Sequence, residues 1–89
     1  MEGFRAYVQD NVKYPKGAMD KGIQGKVYIS FVVETDGSIS NITIPRGANK
    51  LLDEEAVRVV KSAPKWTPGE QKGELVRVGY TIPVTFKLQ

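Results

Sequence analysis

The sequence contains no cysteine and no histidine, and these two absences exclude several kinds of site. Without cysteine the chain can form neither a disulfide framework nor a thiolate metal site. Without histidine it lacks the side chain that most often binds metals and acts as a general base near neutral pH. We therefore expect no cofactor, no metal site and no catalytic residue, so the protein is predicted not to be an enzyme.

Long apolar runs are also missing, and the charge is only moderately basic. No stretch approaches the roughly 18 apolar residues that a membrane-spanning helix needs, and no basic-then-apolar leader opens the chain. We expect a soluble domain, and its direct start in a helical pattern is compatible with excision from a longer protein. The net charge of +3 is spread along the chain rather than clustered, which argues against nucleic acid as a partner.

The composition is that of an ordinary small globular protein. With 89 residues, of which 40% are hydrophobic and 26% charged, the chain is long enough for one domain with a thin core. We predict a single domain over residues 1–89. It divides into a helical N-terminal segment, residues 1–25, and a ββαβ core, residues 26–89.

The N-terminal segment is predicted to contain two short helices. Apolar residues recur at helical spacing from Phe4 over residues 4–12. The pair Tyr14-Pro15 ends this helix, because the residue before a proline avoids the helical conformation. Proline suits the first position of a helix, so a second helix is expected over 16–21.

An alternating pattern predicts a β-hairpin at the start of the core. Apolar and polar residues alternate over 26–34, and Asp36-Gly37 then supplies a hairpin turn. The second strand is predicted over 38–44 and is expected to end at Pro45 and Gly47. Its alternation changes phase, which a bulge near Ser40-Asn41 would explain.

The second half of the core is predicted to be one helix and one long strand. Residues 50–63 carry one apolar and one charged face, and Pro64 ends this main helix. Residues 65–73 are predicted to form a loop held by Trp66, whose indole we expect in the core rather than in a binding site. Apolar residues then alternate over 76–88, which indicates the third strand.

These elements predict a two-layer α+β fold with a three-stranded antiparallel sheet in the order 2-1-3, packed against the main helix. The third strand is then an edge. Because Pro83 cannot donate a hydrogen bond, its nitrogen should point away from the first strand, and the backbone groups of Thr81, Thr85 and Lys87 should do the same. This edge either is protected from aggregation by Pro83 or accepts a guest strand.

Several landmarks occur in the order in which one known family carries them. They are Tyr14-Pro15 with Ala18, Gly22 to Val27, Phe31 to Val33, Asp36-Gly37, Leu52 to Ala56, Trp66-Thr67-Pro68-Gly69 and Pro83 to Leu88. No single landmark is specific, but the ordered set covers residues 14 to 88. The chain resembles the TonB C-terminal domain family, the periplasmic domain of energy-transducing TonB proteins.

The resemblance implies a non-enzymatic periplasmic adaptor, tethered to the inner membrane in the full-length protein. Such a domain binds the TonB box, a short segment of outer-membrane TonB-dependent transporters, by strand addition on its last strand. It transmits proton-motive-force energy from an ExbB/ExbD-type motor, contacted through a missing N-terminal region, for uptake of siderophores, vitamins or glycans. The implied contact residues are Thr81, Pro83, Thr85 and Lys87 on the edge, the segment Tyr14 and Pro15, and Arg77.

Two alternatives remain open on the residues alone. In a second reading of the resemblance, the chain is the same kind of module attached to a membrane-anchored signalling metallopeptidase or another envelope protein, where it serves as an interaction or sensing domain. The edge strand could instead pair with its own copy in a homodimer. For Tyr14, packing on the core and contact with a partner are equally compatible with the sequence.

Overall fold

The computed structural model describes residues 2–88 and contains three helices and five strands in that range. The helices are α1 Glu2–Asn11, α2 Lys16–Asp20 and α3 Lys50–Lys61. The strands are β1 Gly25–Val33, β2 Ile39–Arg46, β3 Gly69–Gln71, β4 Glu74–Val76 and β5 Val78–Phe86. None of the helices in residues 2–88 is both long and apolar enough to cross a membrane.

The main sheet has the predicted order, with β1 in the centre between β2 and β5, and both pairings are antiparallel. The β1–β5 ladder runs without a register shift through nine pairs, from Gly25 opposite Phe86 to Val33 opposite Val78. The connection from β2 to β5 contains α3 and the strands β3 and β4, and it crosses from one side of β1 to the other. The predicted two-layer α+β fold is confirmed, and β5 is an edge of the three-stranded sheet.

One face of this sheet carries the core. Every second residue of β1, from Val27 to Val33, is buried, as are Ile82, Val84 and Phe86 of β5. The apolar stripe of α3 that begins at Leu52 covers this face. The alternation in the sequence therefore has its expected cause, since only one side of each strand meets the helices.

The helix α1 contributes two buried side chains to this core. Phe4 and Val8 are 0% and 1% exposed, and the Phe4 ring stacks on Phe31 of β1 at 4.7 Å between ring centroids. Burial of side chains of this size contributes about 1.5–3 kcal/mol each. This burial holds α1 in place beside β5.

The strand β2 is irregular, as its sequence pattern indicated. The pairing with β1 slips between Ser40 and Thr43, and Asn41 adopts a positive φ of 50°. The predicted bulge is thus confirmed. A second slip occurs between Thr43 and Arg46. The strand includes Pro45 and ends at Arg46, so the predicted end at Pro45 was wrong, whereas Gly47 follows the last residue of the strand as predicted. An edge strand tolerates proline at such an irregularity because no ladder bond is lost there.

The predicted loop over 65–73 contains structure that the sequence analysis missed. The strands β3 and β4 form a separate two-stranded antiparallel sheet, with Gln71 opposite Glu74. Lys72 and Gly73 between them have φ values of 52° and 79°, as a two-residue hairpin turn with two left-handed residues requires. The long third strand predicted over 76–88 was correspondingly wrong at its start, because Val76 pairs within this hairpin.

The turn at Asp36-Gly37 supports the segment that follows α3. Gly37 has a φ of 87°, and its carbonyl accepts a hydrogen bond from the Trp66 backbone N–H at 2.8 Å. The Trp66 indole meets the Phe4 ring edge-to-face at 5.1 Å. The tryptophan therefore joins α1, the hairpin and the chain after α3, which is the structural role predicted for it.

We predict that Gly37→Ala destabilises the domain far more than Gly73→Ala. Both glycines have left-handed φ angles, and an alanine in this conformation costs about 1–2 kcal/mol of stability. A methyl group at Gly37 would also overlap the Trp66 carbonyl oxygen, whereas the space at Gly73 is open. Urea unfolding should show a loss of about 3 kcal/mol or more for Gly37→Ala. Equal losses for the two variants would contradict the proposed steric role of the turn.

Candidate functional site

The two edges of the main sheet differ in regularity. The β2 edge carries two register slips and Pro45. The β5 edge is continuous from Val78 to Phe86 and paired in one register with β1. Bulges and twists hinder the addition of another strand, whereas a long regular edge permits it. The β5 edge is therefore the part of the sheet best suited to pair with a further strand.

The outward direction of the β5 backbone is shown by a contact with α1. The Gln9 side-chain amide donates to the Thr85 carbonyl at 3.1 Å, and its oxygen accepts from the Thr85 N–H at 3.4 Å. Thr85 lies opposite Lys26 of β1, yet both of its backbone groups point to α1. Because backbone direction alternates along a strand, Thr81 also presents its groups outward, and the nitrogen of Pro83 lies on the same side.

The side chains of these residues lie on the sheet face opposite the helices. The Thr81 hydroxyl is 2.7 Å from the Ser30 hydroxyl of β1, its direct neighbour across the ladder. Thr85 and Lys87 are exposed, and Lys87 follows the last residue of β5. The predicted edge residues thus lie close together along β5 and at the position directly after it, and the Thr81 hydroxyl contacts β1.

Arg77 lies just before β5, and its guanidinium is engaged within the domain. Its Nε and Nη2 atoms donate to the two carboxylate oxygens of Glu34 at 2.9 and 3.2 Å. This pairing, together with the Ser40 hydroxyl, lowers the pKa of the Glu34 carboxyl. The Arg77 side chain, which is predicted to contact a partner, therefore already forms a bidentate ion pair with Glu34, although it remains exposed to solvent. Its contact with a partner stays a prediction.

Tyr14 and Pro15 lie between α1 and α2, near the C-terminal end of β5. The Tyr14 hydroxyl donates to the Ile23 carbonyl, and its ring meets the Phe86 ring edge-to-face at 5.6 Å. Pro15 precedes α2 in an extended conformation. The structure thus brings the segment to the end of the edge strand and shows Tyr14 packed on the core, while its contact with a partner remains a prediction.

The C-terminal end of α1 is attached to α3 through Glu55. The carboxylate of Glu55 accepts from the Lys13 backbone N–H at 2.6 Å and from the Arg58 guanidinium at 2.7 Å. Arg58 also donates to the Asn11 carbonyl at 3.4 Å. The hydrogen bond from Arg58, followed by that from Lys13, lowers the pKa of Glu55 against the opposing effect of its burial.

A cleft of about 230 Å³ lies between α1 and β5. Arg5, Ala6 and Gln9 line it from the helix, and Pro83 lines it from the strand. A strand paired to β5 would run along this cleft, so a side chain of that strand could enter it. Within residues 2–88, no group of three or more acidic side chains is placed to hold a metal ion.

The model of the family described as the Gram-negative bacterial TonB protein C-terminal matches residues 10–88. The chain belongs to this family. The family model describes the C-terminal part of TonB proteins of Gram-negative bacteria. The resemblance inferred from the ordered landmarks is confirmed.

Related proteins of known identity agree with this family assignment. The chain is 31% identical over 78 residues to Protein TonB of Helicobacter pylori strain 26695 and, to the same extent, to that of strain J99. The match covers 86% of the chain and 26% of each relative. The chain therefore spans about a quarter of the length of these TonB proteins.

Solved structures of TonB C-terminal domains share the fold. The NMR structure of Helicobacter pylori TonB-CTD (residues 179-285) has a TM-score of 0.80 and 28% identity, covering 96% of this chain and 77% of that one. The structure of residues 194-285 has a TM-score of 0.76 and 26% identity, with coverages of 97% and 90%. The Pseudomonas aeruginosa TonB CTD has a TM-score of 0.71 and 27% identity, with coverages of 91% and 82%.

The sequence analysis missed Gln9, although this side chain contacts the candidate edge directly. Gln9 lies on the polar face of α1, and an exposed glutamine on a helix carries no signal of its own. The contact depends on how α1 packs beside β5, 76 residues away in sequence. The contact between Gln9 and Thr85 could have been predicted only if α1 had been expected to lie beside the third strand.

We predict that Glu55→Gln lowers the free energy of unfolding at neutral pH by about 1–2 kcal/mol, because charge-assisted hydrogen bonds to Lys13 and Arg58 are weakened. The folded pKa of Glu55 is lowered, so its contribution is present above the unfolded pKa and is lost as the pH falls through the folded value. The variant should therefore lose less stability than the wild type between pH 5 and about pH 3.

Chemical unfolding followed over this pH range checks the prediction. Glu54→Gln makes the same chemical change at the neighbouring exposed position and serves as the control. A pH profile for Glu55→Gln that parallels that of the wild type would show that the attachment of α1 to α3 does not depend on this charge.

Proposed function

We propose that this chain is the receiving domain of a periplasmic energy-transducing adaptor, which binds the TonB box of outer-membrane TonB-dependent transporters by strand addition on β5. The observation that carries the proposal is the regular β5 edge, whose outward backbone groups are identified by the Gln9–Thr85 contact. The family membership supports the same reading. The sites proposed for the partner are Thr81, Pro83, Thr85 and Lys87, with Tyr14, Pro15 and Arg77 around them.

Recognition through backbone groups suits an adaptor for several transporters. Main-chain hydrogen bonds are formed by almost any sequence, so an added strand demands little of the guest except an extended conformation. At roughly 0.5–1.5 kcal/mol net per bond, about three or four bonds contribute only 2–6 kcal/mol. A micromolar complex needs about 8 kcal/mol, so side-chain contacts must supply the remainder. The cleft between α1 and Pro83 is a suitable place for one of them.

The proposal assigns the rest of the transduction pathway to parts of a full-length protein outside this chain. In the proposed full-length protein, an N-terminal region tethers the domain to the inner membrane and couples it to an ExbB/ExbD-type motor. Force from that motor would act on the transporter through the added strand, because its hydrogen bonds lie side by side along β5. The cargo would be siderophores, vitamins or glycans.

We predict that a peptide containing a TonB box of the same bacterium's transporters binds at the β5 edge and that Thr81→Pro weakens it at least about tenfold. The proline removes the outward N–H of Thr81 while β5 keeps its inward bonds to β1. Thr81→Val is the matched control, since it removes the hydroxyl that contacts Ser30 and keeps the N–H. Backbone amide shifts in an NMR titration measure both affinity and location.

We expect the peptide to change the chemical shifts of backbone amides in β5 and to leave those in β2 unchanged. Shifts along β2, or equal affinities for Thr81→Pro and Thr81→Val in folded proteins, would contradict strand addition at β5. Concentration-dependent β5 shifts without peptide, with a dimer seen by sedimentation, would instead favour self-pairing of the edge.

A further inference from the structure

We propose that the Gln9 side chain is a displaceable cap on the β5 edge, which a guest strand must replace in order to pair beyond Pro83. This inference rests on the proposed function, because it names the residue that regulates access to the same edge. The Gln9 side chain, which belongs to the domain itself, competes with the guest strand for the backbone groups of Thr85.

The Gln9 amide takes the place of the backbone N–H and C=O groups of one residue on a neighbouring strand. A primary amide has an N–H that donates and an oxygen that accepts, and both lie in the amide plane. In Gln9 the N–H donates to the Thr85 carbonyl, and the oxygen accepts from the Thr85 N–H. An adjacent antiparallel strand would make the same pair of contacts with one of its residues. The contact lengths of 3.1 and 3.4 Å are at and beyond the long end of the usual range, so the cap is weaker than a strand.

The cap can leave while α1 stays in place. Phe4 and Val8 are buried in the core, and the Glu55 carboxylate holds the Lys13 N–H at the end of the helix. Gln9 itself is exposed, so rotation about its side-chain bonds releases Thr85 without loss of core packing. Displacement therefore requires the breaking of two solvent-accessible hydrogen bonds and no unfolding of the helix.

The cap also limits which part of β5 is open in the free domain. Pro83 has no N–H, and the groups of Thr85 are held by Gln9, so the outward N–H groups ready to pair lie in the N-terminal half of the strand, such as that of Thr81. A guest strand would begin there and extend past Pro83 only by replacing the Gln9 amide with the N–H and C=O groups of one of its own residues. The same arrangement hinders pairing of β5 with a second copy of the domain.

Gln9→Ala and the control Asp10→Ala test the cap in the absence of any partner. Asp10 is an exposed neighbour on α1, so its replacement changes the same helix without touching Thr85. Hydrogen exchange measured by NMR should show lost protection of the Thr85 amide in Gln9→Ala, with unchanged protection in Asp10→Ala and unchanged exchange of the Thr81 amide in both. Unaltered protection of Thr85 in a folded Gln9→Ala protein would overturn the cap.

Peptide affinity tests the competition. The TonB-box peptide should bind Gln9→Ala about two- to tenfold more tightly than the wild type and Asp10→Ala, because the guest no longer displaces two hydrogen bonds. Equal or weaker binding to Gln9→Ala, with clear binding to the wild type, would overturn the displacement and leave strand addition standing. Absence of binding to all three proteins at millimolar peptide would overturn both proposals.

Discussion

The pairing of β1 with β5 is the interaction on which the rest of this domain depends. Its nine pairs in one register decide which residues of β5 face the helices and which backbone groups face outward. Shifting that register by one residue would turn Ile82, Val84 and Phe86 away from the core, so the core and the edge geometry are set by the same ladder. The position of Pro83 on the outward side follows from this register and removes no bond to β1.

An edge that binds through its backbone must be held rigidly, and the domain supports β5 from two sides. The central strand β1 bonds it along its whole length, while α1 lies beside it with Phe4 stacked on Phe31 of β1. The irregular β2 edge has no comparable regularity because of its two register slips. This asymmetry between the two edges is the physical basis for placing partner recognition on β5.

Sequence reasoning recovered the fold where local chemistry and periodicity agreed. Alternation of apolar residues identified β1 and β5, the Asp36-Gly37 turn identified the hairpin, and the crossover helix allowed the predicted order 2-1-3. It failed where the signal was short or ambiguous. The β3–β4 hairpin has three residues in each strand and a turn at Lys72-Gly73, so its alternation is too brief to distinguish from the adjoining third strand. Pro45 was read as a strand end because its place at an edge irregularity could not be known.

The sequence by itself determined the helices and the three strands of the main sheet, their order, the edge position of the last strand and the outward nitrogen of Pro83, because these follow from side-chain periodicity, turn chemistry and the covalent limits of proline. The tertiary structure alone decided what meets that edge. Gln9 and Thr85 are 76 residues apart, and Arg77 and Glu34 are 43 apart. No local pattern relates such residues, since their contacts arise only when the packing of α1 and the β1–β5 register bring distant side chains and backbone groups together.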